Sequence, residues 1–345
     1  MIKVKKEGIL LQKSDLGFEN EGVLNPAVIV DGNSTHVLYR AVRKGNFSSI
    51  GYCRLEGPLE LVERHETPAI FPQFDYESQG VEDPRMVKLD DLFYISYTAY
   101  DSVNALGALA TSADLKQFKK HGVIVPRIRY DHFKHLAECK GKVNEKYFRI
   151  NRQYGTLNKL DEHVYIWDKN LVFFPRRIDG KIVFLHRIKP GIQIVSIDAL
   201  ENLDQIFWDE YFMCFNEHIL MDPKHEHESS YIGGGCPPIE TEAGWLLIYH
   251  GVHDTPTGYI YSACAALLDL NNPGLEIARL PYPLFQPEHD YELSGEVNNV
   301  CFPTGHAIFN ETLYIYYGAA DEQVAVASMN VPDLISELLL NRNTK

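Results

Sequence analysis

No run of about 18 uninterrupted apolar residues occurs in the sequence, so it contains no membrane-spanning helix of the ordinary kind. The opening segment, Met1-Ile2-Lys3-Val4-Lys5-Lys6, lacks the apolar core of a secretory signal, and the expectation is a cytoplasmic protein, or a periplasmic one if a leader has been removed. Cysteine is sparse. The six residues (Cys53, Cys139, Cys214, Cys236, Cys264 and Cys301) include no Cys-x-x-Cys pair, which argues against a disulfide framework and against a cysteine zinc site. Strong bases are nearly missing from one long stretch: between Glu201 and Asn330 only Lys224 and Arg279 stand against twenty Asp and Glu. That stretch balances at −18 within a chain total of −14. Such a surface repels phosphate backbones and anionic headgroups, so neither nucleic acid nor a membrane is an expected partner. Aromatic residues are plentiful by contrast. The 20 Tyr and 17 Phe suit a site that stacks on and hydrogen-bonds a neutral polar ligand.

A repeated unit organises the chain. A proline is followed by a short apolar strand, a polar turn, and a second strand rich in aromatic and β-branched residues that ends on a polar side chain. The units begin at Asn25-Pro26, Asp83-Pro84, Phe174-Pro175, Pro237-Pro238 and Phe302-Pro303, and their second strands end near Arg40, Thr98, Arg187, His250 and Tyr317. The turns Asp31-Gly32-Asn33, Asp90-Asp91, Asp179-Gly180, Glu242-Ala243-Gly244 and Asn310-Glu311 hold residues that tolerate positive φ, so each unit reads as a β-hairpin. The spacing leaves room for four strands per unit, and radial stacking of such sheets is how a β-propeller hides its edges. The expectation is an all-β, five-bladed β-propeller forming one domain over 1–345; a pair of β-sandwiches with incidental likeness between hairpins is the alternative. The charged and aromatic segment 127–161 reads as an extended hairpin or insertion. A short helix is expected over 331–341, with Pro332 in its first turn and Asn341 past its end.

In such a wheel the inner strands line a central funnel, where Asn25, Arg40, Asp83, Arg85, His186, Arg187, His250, Tyr317 and Asp321 converge as a hydrogen-bonding basin. Solvated strand ends are the plainer reading of the same residues. Glu82-Asp83-Pro84-Arg85 is the sharpest local feature: burial raises the proton affinity of an Asp and a neighbouring Arg lowers it, and the sequence leaves that contest open. The run from His225 to Pro238 combines charged side chains with Gly233-Gly234-Gly235. A metal site on His225, His227 and Glu228 has no matching motif spacing, and the triple glycine lacks the Gly-Lys-Ser/Thr ending of a phosphate loop. Neither a metal nor a cofactor is expected.

Glu82-Asp83-Pro84-Arg85, Leu185-His186-Arg187, Gly233-Gly234-Gly235-Cys236-Pro237-Pro238-Ile239, the segment 244–252 and Asn299-Val300-Cys301-Phe302-Pro303-Thr304-Gly305 resemble the signature segments of glycoside hydrolase family 130 over nearly the whole chain. The resemblance implies a five-bladed propeller acting on β-mannosides, either as an inverting phosphorylase or as an inverting β-1,2-mannosidase. It implies that Asp83 donates the proton, through a sugar hydroxyl, and that Asn25, Arg40, Tyr261 and Asp321 bind mannose. The phosphate-holding pattern of the family is matched by Lys169, Arg187 and His250. Its lysine before the glycine run is replaced by Tyr231, with Glu228 three residues upstream.

A carboxylate there repels a phosphate dianion but deprotonates water. The expectation is therefore an inverting, exo-acting β-mannosidase that hydrolyses β-1,2-linked mannosides to mannose. Asp83 would be the acid and Glu228 the base, with Glu226, Glu288 and Glu296 in reserve; the two carboxyls of an inverting hydrolase stand about 6.5–9.5 Å apart. Arg85, His186, Arg187, Tyr231 and His250 are expected to touch the sugar. The alternatives are a phosphorylase releasing mannose 1-phosphate and a non-catalytic sugar-binding propeller. The expected partner is a mannose-containing oligosaccharide, with inorganic phosphate only for a phosphorylase, and the C-terminal helix either covers a blade or pairs two copies as a homo-oligomer.

Overall fold

The computed structural model of the protein describes residues 2–148 and 163–342. They form five antiparallel units of about four strands each. The first contains Gly22–Asp31, Ser34–Arg43, Phe47–Glu56 and Glu60–Arg64, and the second Gly80–Leu89, Leu92–Tyr100, Ala105–Ser112 and Lys119–Val123. A single parallel bridge, Ser48 to Gly80, joins these two. The third contains Lys169–Phe173, Ile182–Arg187, Ile192–Ile197 and Ile219–Met221. In the fourth, Tyr231–Gly234 and Ile239–Thr241 both pair with Gly244–Thr255, followed by Gly258–Leu268 and Glu276–Arg279. The fifth is built from Cys301–Phe309, Thr312–Ala319 and Gln323–Asn330, and its fourth strand is Lys5–Leu11 from the opposite end of the chain.

The turns behave as their residues require. Asp90 and Asp91 have φ of 48° and 65°, and Asn310 and Glu311 have 48° and 63°, the paired left-handed geometry that matches the twist of a two-residue hairpin.

Side chains alternate between the faces of each sheet, and both faces are buried. In the fourth sheet Trp245 and Leu247 pack with Val172 and Leu185 of the third, while Leu246 and Ile248 pack with Leu313 and Ile315 of the fifth. The fifth in turn shares a core with the first, through Tyr316 and Val326 against Val23 and Val37. First strands are also neighbours: Gly22–Asp31 touches Gly80–Leu89 and Cys301–Phe309, Lys169–Phe173 touches Gly80–Leu89 and Tyr231–Gly234, and Cys301–Phe309 touches the two long strands of the fourth sheet.

Segment 127–161 is not an extended hairpin where it is described; 149–162 lie outside the described residues. Tyr130–Ala137 is a helix whose Phe133 packs edge-on against Phe212 and Phe215 at 5.3 and 5.1 Å, capping the core between the second and third sheets. The C-terminal helix runs Val331–Leu340 as expected, capped by the Asn330 side chain accepting from the Asp333 amide. Its Leu334 and Leu338 are buried in the core of the fourth and fifth sheets, so it covers a sheet of its own chain.

One packing device recurs in four of the five units. A glutamate in the turn before the first strand accepts a hydrogen bond from a tyrosine on the second strand and pairs with a base on the fourth. The sets are Glu19 with Tyr39 and Arg64, Glu77 with Tyr97 and Lys120, Glu228 with Tyr249 and Arg279, and Glu292 with Tyr317 and Lys6. All four glutamates are 0% exposed. Since a buried charge is tolerated only when paired and hydrogen-bonded, each set acts as a clamp across its sheet. The third unit has His186 at the tyrosine position, its Nδ1 bonded to Asp168 at 2.8 Å and its Nε2 to the Tyr211 hydroxyl at 2.7 Å.

Candidate active site

The first strands of three units are interrupted in the same place. Two residues stand opposite one across the hairpin: Asn25-Pro26 opposite Tyr39, Asp83-Pro84 opposite Tyr97, and Asn170-Leu171 opposite His186. These are β-bulges, which re-aim a side chain. The leading residues have φ of 50°, 49° and 57°, and Asn and Asp are the side chains that accept this left-handed backbone most readily. Proline as the second residue suits the first two, having no N–H to leave unpaired.

The re-aimed side chains meet in a cavity of about 240 Å³ that Asn25, Asp83 and Asn170 line with Arg40, Lys169, Arg187, Lys189, Tyr231, Tyr261 and Asp321. Trp167, Val297, Val300 and Phe302 supply its apolar and aromatic surface. On one side, Asp83 accepts from the Asn25 amide at 2.7 Å, and Arg40 reaches Asp83 at 3.4 Å and Glu82 at 2.7 Å. Burial works to raise the Asp83 carboxyl, but the charges of Arg40, Lys169 and Arg85 and the Asn25 bond outweigh it and hold it at about 2. Asp321 goes the other way: burial pushes it up to about 6 with help from Asp83 and Glu82, against Arg40 and Lys169.

The other side is cationic. Lys169, Arg187 and Lys189 line it, and burial lowers the proton affinity of all three. Among the described residues, several buried polar atoms here have no hydrogen-bond partner: both nitrogens of His250, the Arg187 Nε and both amide atoms of Asn170. Such groups are open to a ligand or an ordered water, either of which would offset their desolvation cost. Gly233 explains the convergence, since a Cβ there would stand 2.5 Å from His250 and 2.7 Å from Asn170.

Eight residues expected from the sequence therefore line the cavity: Asn25, Arg40, Asp83, Lys169, Arg187, Tyr231, Tyr261 and Asp321. His250 sits just behind, against the Phe302 ring at 4.4 Å; burial first, then Arg187 and Arg85, press its proton affinity well down. Arg85 does not face the cavity. It lies behind Asp83 and donates to the carbonyls of Asp83 and Gly235 at 2.7 and 3.1 Å, tying the second sheet to the glycine run. His186 and Tyr317 face away as well, because they occupy the clamp position one residue before the one that points to the cavity.

Glu228 corrects the expectation most. Its carboxylate is taken up by Tyr249, by Arg279 at 3.1 Å, and by the backbone amides of Lys224 and His225 at 2.7 and 3.1 Å. Burial works to raise its proton affinity, yet these donors hold it below the ordinary glutamate range. A carboxylate that is 0% exposed, bound by four donors and absent from the cavity lining is not placed to hold a water against the sugar. The reserve residues Glu226, Glu288 and Glu296 are exposed, and Glu296 lines a neighbouring depression rather than the cavity. Asn170 and Lys189 belong to the site and were missed. The proline rule set the third unit at Phe174-Pro175, whereas its bulge carries Asn170-Leu171.

An all-β scaffold that gathers the carboxyls of Asp83 and Asp321, a group of cations and aromatic rings around one pocket suits a glycoside-active enzyme. A family model described as beta-1,4-mannooligosaccharide phosphorylase matches residues 15–339, and the chain belongs to that family, glycoside hydrolase family 130. It is 31% identical over 349 residues to the 1,2-beta-oligomannan phosphorylase of Thermoanaerobacter sp. (strain X514), across 97% of this chain and 99% of that one. It is 34% identical over 344 residues to the beta-1,2-mannobiose phosphorylase of the same organism, across 95% and 96%. The solved beta-1,2-mannobiose phosphorylase of Listeria innocua, in complex with beta-1,2-mannobiose, shares the fold, with a TM-score of 0.74 at 22% identity over 99% of this chain and 100% of that one.

Proposed function

We propose that the protein is an inverting phosphorylase of β-mannosides, with β-1,2-linked chain ends as its substrate, built as a five-bladed propeller. The observation that carries this is the division of the pocket: Lys169 and Arg187 on one side with the unpartnered His250 behind them, Asp83 on the other with the second carboxyl, Asp321, next to it and Arg40 rather than among the cations, and Glu228 withdrawn into a clamp. A phosphorylase needs an acid and a place for phosphate, whereas a hydrolase needs a second carboxylate holding water. Support comes also from the relatives of matching length, which are phosphorylases of β-1,2-mannosides.

In this reading phosphate lies against the cations and one of its oxygens attacks C1 of the terminal mannosyl group. The C1–O bond to the remaining sugar breaks on the opposite face. The leaving oxygen takes a proton that originates on Asp83, and the products are α-mannose 1-phosphate and a mannoside one unit shorter. Asp83 is ionised in the unliganded pocket, held so largely by Arg40 and Lys169. A phosphate dianion cancels part of that field, so the nucleophile itself raises the proton affinity of the acid. Asn25 and Arg40 fix the carboxylate, and Tyr261, Asp321 and the aromatic lining grip the sugar.

The test is product analysis of β-1,2-mannobiose and β-1,4-mannobiose digests with and without inorganic phosphate. Mannose 1-phosphate that forms only with phosphate, and faster from the β-1,2 substrate, is expected. Two free mannoses per substrate in phosphate-free buffer would establish hydrolysis instead. Asp83→Asn should lower kcat by about 10²–10⁴ while keeping the fold, because Asn also accepts φ of 49°.

A further inference from the structure

Lys189 is the cavity cation without a task so far. It follows the strand Ile182–Arg187, and its ammonium stands 3.7 Å from the centre of the Tyr231 ring, with Arg187 over the same ring at 5.1 Å. The Tyr231 hydroxyl is bonded to that of Tyr261 at 2.7 Å, which fixes the ring as a platform. The charged groups bearing on Lys189 are Arg187 and Lys169 of its own sheet, and its charge bears on His250 of the fourth. Among the described residues no carboxylate pairs with it.

A half-buried amine among cations is favoured as the free base or with an anion beside it. Burial, then Arg187 and Lys169, bring Lys189 down to about 6. Position 231, where the family resemblance implies a lysine, holds a tyrosine.

We propose that Lys189 is a phosphate-binding residue of this chain, delivering from the third sheet, across the Tyr231 ring, the cation that position 231 does not supply. This rests on the phosphorylase reading. It has a consequence for protons: above the range where Lys189 titrates, the amine must gain a proton when phosphate enters, either from solvent or from the monoanion H₂PO₄⁻. Phosphate binding is then accompanied by net proton uptake from the medium when the dianion is bound. His250 contributes to that uptake in every variant, so the Lys189 share is read as a difference.

The experiment titrates inorganic phosphate into wild type, Lys189→Met and Lys189→Arg by calorimetry at about pH 7.5, in two buffers of different ionisation heat. It also measures KM for phosphate and for β-1,2-mannobiose. Lys189→Met should raise the phosphate KM about ten-fold or more, leave the mannobiose KM within about two-fold, and reduce proton uptake. Lys189→Arg should keep phosphate affinity but show the same reduced uptake, because a guanidinium stays charged. A phosphate KM unchanged in Lys189→Met overturns the proposal and leaves the phosphorylase reading standing. Wild type that neither binds phosphate nor needs it for turnover overturns both. Should Lys189→Met fail to fold, Lys189→Arg decides, since uptake equal to that of wild type refutes the assignment.

Discussion

Asn25, Asp83, Asn170 and Asp321 share a left-handed backbone, with φ between 49° and 57°, and all four face the pocket. A short polar side chain is what makes that backbone affordable, so identity and aim are coupled at these positions. The coupling was half legible: Asn25-Pro26 and Asp83-Pro84 stood out as repeated dipeptides, but Asn170 has no proline after it and went unseen. Alternation explains the other misplacements. His186 and Arg187 look equally apt on paper, yet adjacent residues of a strand face opposite ways, and only Arg187 turns inward. Asp321 bears a cost of function. A carboxyl raised from 3.8 to about 6 destabilises the folded state by about 3 kcal/mol above both values; the penalty grows as pH rises from 3.8 to 6 and is absent below. Asp321→Asn is expected to raise the melting temperature at neutral and alkaline pH, to lose that advantage in acid, and to weaken mannoside binding. Melting curves across the pH range, with KM for β-1,2-mannobiose, check it.

At the scale of the element, the clamp decides what Glu228 is for. A glutamate six residues ahead of the bulge recurs in Glu19 before Asn25 and Glu77 before Asp83, and Glu228 stands the same distance before Gly234. That spacing is visible in the sequence, but its meaning depends on a base from the fourth strand, which lies 43 to 51 residues further on for Glu77 and Glu228. Only pairing of the strands brings the two together. Glu228→Gln should therefore cost stability, by about 1–3 kcal/mol, because it removes one of the two carboxylates paired with the buried Arg279 and leaves only Glu276, and it should leave kcat near wild type below the unfolding transition. The sign with pH follows from a carboxyl held below its ordinary range. Its contribution is present above the ordinary glutamate value and is lost as pH falls through the folded one, so mutant and wild type converge in acid. Normal melting with kcat lost a hundred-fold would restore Glu228 as the base.

For the whole molecule, the repeat and the helix Val331–Leu340 were readable because hydrophobic period and turn chemistry are local. The choice between hydrolysis and phosphorolysis was not. A stretch of −18 argued against binding an anion, but the cations of the pocket's basic side come from 169–189, just upstream of it, and are carried inward by the third sheet. A cationic pocket in an acidic body focuses anions toward the site while the exterior repels them. The fifth sheet sets another property of the whole. Its edge strand Lys5–Leu11 brings the ammonium of Lys6 to the buried Glu292. Deleting residues 1–11 should abolish cooperative unfolding, since it removes a full strand pairing and strands a buried carboxylate; a sharp calorimetric transition in the shortened chain would refute this.

That pairing also imposes an order on synthesis. Lys5–Leu11 leaves the ribosome about 310 residues ahead of its partner Gln323–Asn330, an interval of roughly 15–60 s at ordinary elongation rates. Throughout it, the nascent segment is an open edge seeking a mate. The lysines at 3, 5 and 6 are the kind of charge that discourages neighbouring chains from taking the place reserved for a strand made so much later.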